Sequence, residues 1–293
     1  MKYSFIIILT IIAVAGLILY WPKKAVELPK TNGPIVTTSF YPIYFLTKEI
    51  MGDRGSVYNI TPAGAEPHDY EPTTKDRIRL EKSNLLIING GNLEPWGNGV
   101  EALLPNTKVL RVGEPLMFEG DPHVWLDPVL YAEEAESIVE ALSEIDPAGK
   151  KIYTANSLNL LGQINLMDES FRNGLRLCEK NDIITSHAAF AYLARQYGFI
   201  QNSIAGLSPD AEPSPAALAA VTQLARAKDI KYIFFESLVS PKLSDAVARE
   251  VGAQTLVLNP LEGLSESDLA AGKNFFNEMK NNLNNLRIAL VCR

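Results

Sequence analysis

The chain has 293 residues, 47% of them apolar and 21% charged, enough for one large domain or two modest lobes with cores of their own. Its formal net charge of −7 excludes the concentrated basic surface that nucleic-acid binding requires. Cys178 and Cys292 lie in different parts of the chain and form no CxxC pair, so neither a disulfide framework nor a thiolate zinc site is expected. Any metal has to be held by nitrogen and oxygen.

Met1 and Lys2 precede an apolar run from Phe5 to Trp21, closed by Pro22-Lys23-Lys24. The run is at the short limit for a bilayer span and long for the core of a signal peptide. Ala13-Val14-Ala15 before Gly16 is a small-x-small pattern that a signal peptidase could cut. The apolar residues continue past it, however, and Tyr20 and Trp21 suit a membrane interface. Residues 1–33 therefore read as an uncleaved anchor plus a short polar tether, with a cleaved signal as the alternative. No cysteine lies near the segment to take a lipid. Both readings place the rest of the chain outside the cytoplasm.

From Pro34 onward, strand, loop and helix alternate. β-rich runs are expected at Ile35–Ser39, Ser56–Ile60, Asn84–Asn89 and Lys108–Val112, then at Asp182–Ser186, Gln201–Ala205, Lys231–Glu236 and Gln254–Asn259. Helices are expected at Pro42–Met51, Pro215–Ala227 and Pro241–Val251. This alternation predicts an α/β fold with two lobes, each a roughly four-stranded, mainly parallel sheet flanked by helices. Four strands fall on each side of the strand-free segment Asp127 to Lys180. Within it, Pro147 to Glu179 reads as one rigid helix of roughly 30 residues, about 45 Å at 1.5 Å per residue, with Asp146 as its N-cap. Leu158, Leu161, Ile164, Met167, Phe171 and Leu175 would face the lobes. The division is thus 34–146 for the first lobe, 147–180 for the linking helix and 181–293 for the second lobe.

The chain has three histidines, His68, His123 and His187. A lone histidine is commonly a surface or satisfied core residue, but each of these follows a predicted strand. In open α/β sheets ligands bind beyond the carboxyl ends of strands. Three imidazoles from separate loops suit zinc, which takes four ligands. Glu236 and Glu262 both qualify as the fourth on position alone. Glu66, Asp69, Glu71, Asp121 and Asp127 could offset charge or orient the rings; solvation and helix capping account for each of them equally well.

Several segments carry a resemblance: Thr38-Ser39-Phe40-Tyr41-Pro42, Gly64 to Pro72, Asn89 to Trp96, Asp121 to Pro128, Ser186-His187-Ala188-Ala189-Phe190, Phe235-Glu236-Ser237 and Leu258 to Leu264. In this order they resemble the zinc/manganese-type solute-binding proteins of bacterial ABC metal importers, over about Pro34 to Arg287. The resemblance implies metal ligands at His68, His123, His187 and Glu262, with Glu236 outside the set. It implies no catalytic residues. Manganese-type relatives commonly carry a carboxylate at the third position, so His187 tilts the chain toward Zn2+, with Mn2+ or Fe2+ as the alternatives. Two family features are missing: the His-rich loop between the first two ligands and the lipid-attachment cysteine.

The implied work is capture of a divalent ion and its delivery to a separate ABC permease and ATPase by a monomeric receptor. No GxxxxGK[ST] phosphate loop occurs in the chain. Small lobe shifts and loop ordering are expected on binding, with affinity falling below about pH 6 to 6.5 as imidazoles protonate. The competing readings are a metal-dependent hydrolase, with Glu236 as its base, and a surface adhesin; no HExxH motif supports the former.

Overall fold

The computed structural model describes residues 33–293; the expected anchor run, Phe5 to Trp21, lies outside the described residues. Among those described, no helix is long and apolar enough to cross a membrane.

The first sheet is built from β1 (Ile35–Thr38), β2 (Ser56–Asn59), β3 (Leu85–Ile88) and β4 (Lys108–Arg111), connected through α1 (Tyr41–Met51), α2 (Thr74–Lys82) and α3 (Val100–Leu103). Then come α4 (Pro128–Ile145), a 3-10 turn at Pro147–Gly149 and the long helix α5 (Lys150–Leu175). The second sheet holds β5 (Asp182–Thr185), β6 (Ile200–Ser203), β7 (Tyr232–Phe235) and β8 (Gln254–Val257). Helices α6 (Ala191–Tyr197), α7 (Pro215–Ala227) and α8 (Lys242–Val251) connect these strands. The chain closes with α9 (Glu266–Ala270) and α10 (Phe275–Leu290).

Both sheets are fully parallel and repeat one order, β2-β1-β3-β4 and β6-β5-β7-β8. In each, the first strand lies inside and connections run outward on both sides, which opens a crevice at the carboxyl edge. Each strand is within two residues of its expected bounds.

Alternation along four-residue strands assigns successive side chains to different cores. Leu85 and Ile87 of β3 join one large buried cluster, whereas Leu86 and Ile88 join a smaller one under α2 and α3. In β5, Ile183 joins the large cluster and Ile184 a separate cluster with Val247 and Ala248 of α8. The large cluster is shared by both sheets: Val36 and Leu85 from the first, Ile183 and Phe234 from the second, with α4, α5 and α10 between them.

Four expectations need correction here. Helix α5 stops at Leu175, short of Glu179. The backbone N–H groups of Glu179 and Lys180 donate to Val291 and Leu290 carbonyls instead of continuing the helical ladder. Asp146 does not cap the helix with its side chain; its carboxylate accepts from Arg54 at 2.7 and 2.9 Å and from the Tyr153 hydroxyl at 2.7 Å. The buried stripe of α5 is Tyr153, Ser157, Leu160, Ile164, Met167, Phe171 and Leu175, spaced three and four apart, while Leu158 is 66% exposed. Finally, Cys178 and Cys292 form a disulfide across 114 residues, because the ends of α5 and α10 meet as a short antiparallel bridge. Sequence spacing alone could not reveal that proximity.

Candidate metal centre

All three histidines and Glu262 arrive at the carboxyl edges of the sheets. His68 sits in the loop after β2, His123 after β4, His187 two residues past β5 and Glu262 beyond β8. One ligand atom from each lies within 4.8 Å of the other three. Glu262 Oε1 is 3.2 Å from His123 Nε2 and 3.5 Å from both His68 Nε2 and His187 Nε2. The Nε2 atoms of His123 and His187 are 3.4 Å apart. Four donors bound about 2.0–2.1 Å from one tetrahedral ion stand about 3.3–3.5 Å from each other. These four separations have that spacing.

The rings are held from behind. His123 Nδ1–H donates to Asp121 at 2.6 Å, and His187 Nδ1–H donates to Glu236 at 2.5 Å. Each contact fixes the tautomer that aims an Nε2 lone pair inward. The Ser186 hydroxyl also donates to Glu236. The His187 carbonyl accepts from the Thr185 hydroxyl at 2.7 Å and from Gln201 at 2.9 Å.

Glu262 is placed by an unusual turn. Leu261, just before it, has φ 62°, a left-handed conformation that costs a bulky side chain of order 1–3 kcal/mol. The turn is stitched down: Leu261 N donates to Asn259 Oδ1 at 2.8 Å, and Asn259 exchanges two hydrogen bonds with Asn282 of α10. Trp125 Nε1, beside His123, donates to the Pro260 carbonyl at 2.7 Å. Asn259, Asn282 and Trp125 thus support the centre without touching its middle. Sequence reasoning had the Asn259-Pro260 and Trp125 motifs in view and missed their role; Asn282 carried no signal, since its partner is 23 residues away.

Buried charge sets the electrostatics. Burial by itself pulls His187 down, but Glu262 and Glu236 outweigh it and raise the imidazole to about 10. His123 is likewise pulled down by burial and raised on balance by Asp121 and Glu262. Burial pushes Glu262 up, yet His187, His123 and His68 hold it well below the usual carboxylate range. Without metal the cluster therefore stores protons on imidazole, and an incoming cation must displace them. For His187 that competition begins above the 6 to 6.5 expected for an ordinary imidazole.

The remaining acids separate by position. Asp121 and Glu236 orient rings, and Asp127 caps α4 by accepting from Val129 N at 2.9 Å. Glu71 and Asp69 are exposed, and Asp69 is raised by Asp210. Burial, then Glu262 and Glu236, raise Glu66 to about 10.

Comparison with known proteins agrees with this architecture. The family model for the zinc-uptake complex component A periplasmic proteins (ZnuA) matches residues 36–289. The high-affinity zinc uptake system protein ZnuA of Bacillus subtilis (strain 168) is 37% identical over 280 residues, covering 88% of each chain. The zinc-binding lipoprotein AdcA of Streptococcus pneumoniae (serotype 4, strain ATCC BAA-334 / TIGR4) is 35% identical over 274 residues, which is 86% of this chain and 55% of AdcA. This chain thus spans about half of AdcA. The crystal structure of the Zn(II)-bound ZnuA-like domain of AdcA superposes with a TM-score of 0.79 at 36% identity, covering 88% of this chain and 99% of that domain. The laminin binding protein Lmb of Streptococcus agalactiae, a bifunctional protein with adhesin and metal transporting activity, gives a TM-score of 0.81 at 32% identity, covering 88% of this chain and 100% of the Lmb chain. On likeness of that breadth, this chain belongs to the ZnuA family.

Proposed function

We propose that this protein captures Zn2+ outside the cytoplasm through His68, His123, His187 and Glu262 and presents it to an ABC permease driven by a separate ATPase. The observation that carries the reading is the set of donor separations, 3.2 to 3.5 Å around Glu262 Oε1, which suits a tetrahedral ion with three imidazoles and one carboxylate. Three nitrogen donors favour zinc over manganese, which prefers oxygen. The zinc-bound AdcA domain supports the same choice. We take residues 34–146 and 181–293 as the two lobes and 147–180 as the connection, since one sheet lies in each lobe and α5 lies between. The membrane tether is assigned to residues 1–33.

A receptor role also suits the surroundings of the ion. Glu236, the one candidate for a general base, is engaged by His187 and Ser186. The likeness to Lmb favours an added adhesive role on the same surface, which laminin binding by the purified protein would test. The capture reading is tested by native mass spectrometry of the metal-stripped chain under competition between Zn2+ and Mn2+. One zinc per chain is expected, lost in a His68→Ala/His187→Ala double variant. Stoichiometric zinc in that variant, or manganese outcompeting zinc, would sink it.

A further inference from the structure

We infer that the ion enters and leaves through a cleft behind Glu262, between the Asn59–Ala63 segment of the first lobe and the Gly263–Leu269 segment of the second. This deepens the capture reading and rests on it. A route is needed because the donors are enclosed. The side chains of His123 and His187 are 0% exposed, that of Glu262 1% and that of His68 8%. The ring of His68 shows an edge to solvent, but its Nε2 is covered, as are both oxygens of neighbouring Glu66.

A cleft of about 340 Å³ is lined by Glu262 and walled by Tyr41, Tyr44, Tyr58, Thr61 and Leu269. Two features make it more than a packing gap. Thr61 is 3% exposed and its hydroxyl has no hydrogen-bond partner. Both carboxylate oxygens of Glu262, which lines the cleft, are likewise buried without a hydrogen-bond partner. Orphaned buried oxygens of this kind are costly unless water or an ion visits them. The cleft also has the right size: a divalent ion with about six waters occupies roughly 200 Å³ at about 30 Å³ per water.

Reach to the ligands selects this route over its rival, since the cleft is lined by Glu262 itself. The residues lining the cleft supply hydroxyl, phenol and amide oxygens and one carboxylate, with the Arg79 guanidinium 5.3 Å from the ring centre of Tyr58. A second cavity between the lobes, about 310 Å³, opens beside Asp121 and touches none of the four ligands. Arg195 stands in it, its guanidinium 5.4 Å from the ring centres of Phe118 and Tyr192, together with Glu119 and Asp121. The cleft's two walls are joined by the hydrogen bond from Gly64 N to the Leu264 carbonyl, 3.0 Å, whose opening would widen the passage.

The test is kinetic, on the full chain. Ala63→Phe and Leu269→Phe each narrow the cleft from one wall, and Leu207→Phe narrows the rival cavity. Zinc association is followed by the fluorescence of Trp125, whose ring lies 5.2 Å from that of His123, and dissociation by adding excess chelator. Both cleft variants should slow association and dissociation by the same factor, about tenfold or more, equivalent to about 1.4 kcal/mol on the barrier. Kd should stay unchanged, and Leu207→Phe should behave as wild type. Wild-type rates in both cleft variants, a change confined to one rate, or slowing by Leu207→Phe would each overturn the portal. Failure of the unmodified chain to bind zinc would instead overturn the capture reading.

Discussion

The four ligands do not rest on equal foundations. His123 is followed by Trp125 and Leu126, His187 by Ala189 and Phe190, and Glu262 is bracketed by Leu261 and Leu264. All six of these neighbours belong to the large core shared by the two sheets. His68 differs: Tyr70, two residues on, packs against the small outer cluster of the first sheet. Its Nε2 also lacks a hydrogen-bond partner. Three donors are therefore flanked by residues of the large shared core, and the fourth sits in a loop anchored to the smaller outer cluster. A centre built this way can hold its geometry while one ligand swings.

The sharpest way to break that comparison is to remove one ligand of each kind. Structural zinc in zinc-finger peptides is worth about 10–16 kcal/mol, and a quarter of that, about 2.5–4 kcal/mol, is roughly 60- to 900-fold in affinity for one preset ligand. His187→Ala is expected to lose at least that much and His68→Ala distinctly less, by competition with a chelating dye. Equal losses would show that the loop ligand is as preset as the others. One step outward, Asp121→Asn and Glu236→Gln should each weaken zinc binding by about 10–100-fold, because the rings lose their orienting acceptors. An unchanged affinity in both would mean that packing alone aims the imidazoles.

The smallest effect on zinc, and the cleanest on stability, concerns the shared core itself. Glu134 of α4 is fully buried and neither carboxyl oxygen has a partner. Burial, then Glu94, raises it well above 4.5. Above the ordinary carboxylate range, the unfolded chain gives up this proton and the folded chain keeps it. The contribution to stability is thus whole below about pH 4.5 and falls as pH rises, by about 1.4 kcal/mol per unit until the folded value is reached. Glu134→Gln should remove that slope. Its melting temperature should exceed the wild type's at pH 8 by more than at pH 5, with zinc affinity unchanged. A lower melting temperature at pH 8 would show that the carboxyl is satisfied and useful.

Much of this was legible in the residues. Strands such as Leu85–Ile88 are short apolar runs between turn residues, and a parallel sheet covered on both faces requires such runs. The three histidines were readable because each follows a strand, where the fold opens its crevice. Choosing Glu262 over Glu236 needed the resemblance, since both stand past strand ends. What stayed hidden was long-range pairing. The Asn259–Asn282 stitch, the Trp125–Pro260 bond and the Cys178–Cys292 bridge join segments whose proximity only the assembled fold creates. Leu158 was misplaced because the turn of α5 is set by Tyr153 and Leu160 meeting the shared core, and a list of leucines does not contain that phase.

The disulfide has a topological consequence. By joining residue 178 to residue 292 it closes the polypeptide that forms the whole second sheet, with two of the four ligands, into a covalent ring. A protease that cuts any one loop within that ring releases no fragment, because both cut ends remain attached through sulfur. The chain emerges from the ring at the foot of α5, on the side that leads back to residue 33. A receptor working in an oxidising space exposed to proteases can therefore be nicked in its second half and still keep His187 and Glu262 on the same molecule as His68 and His123.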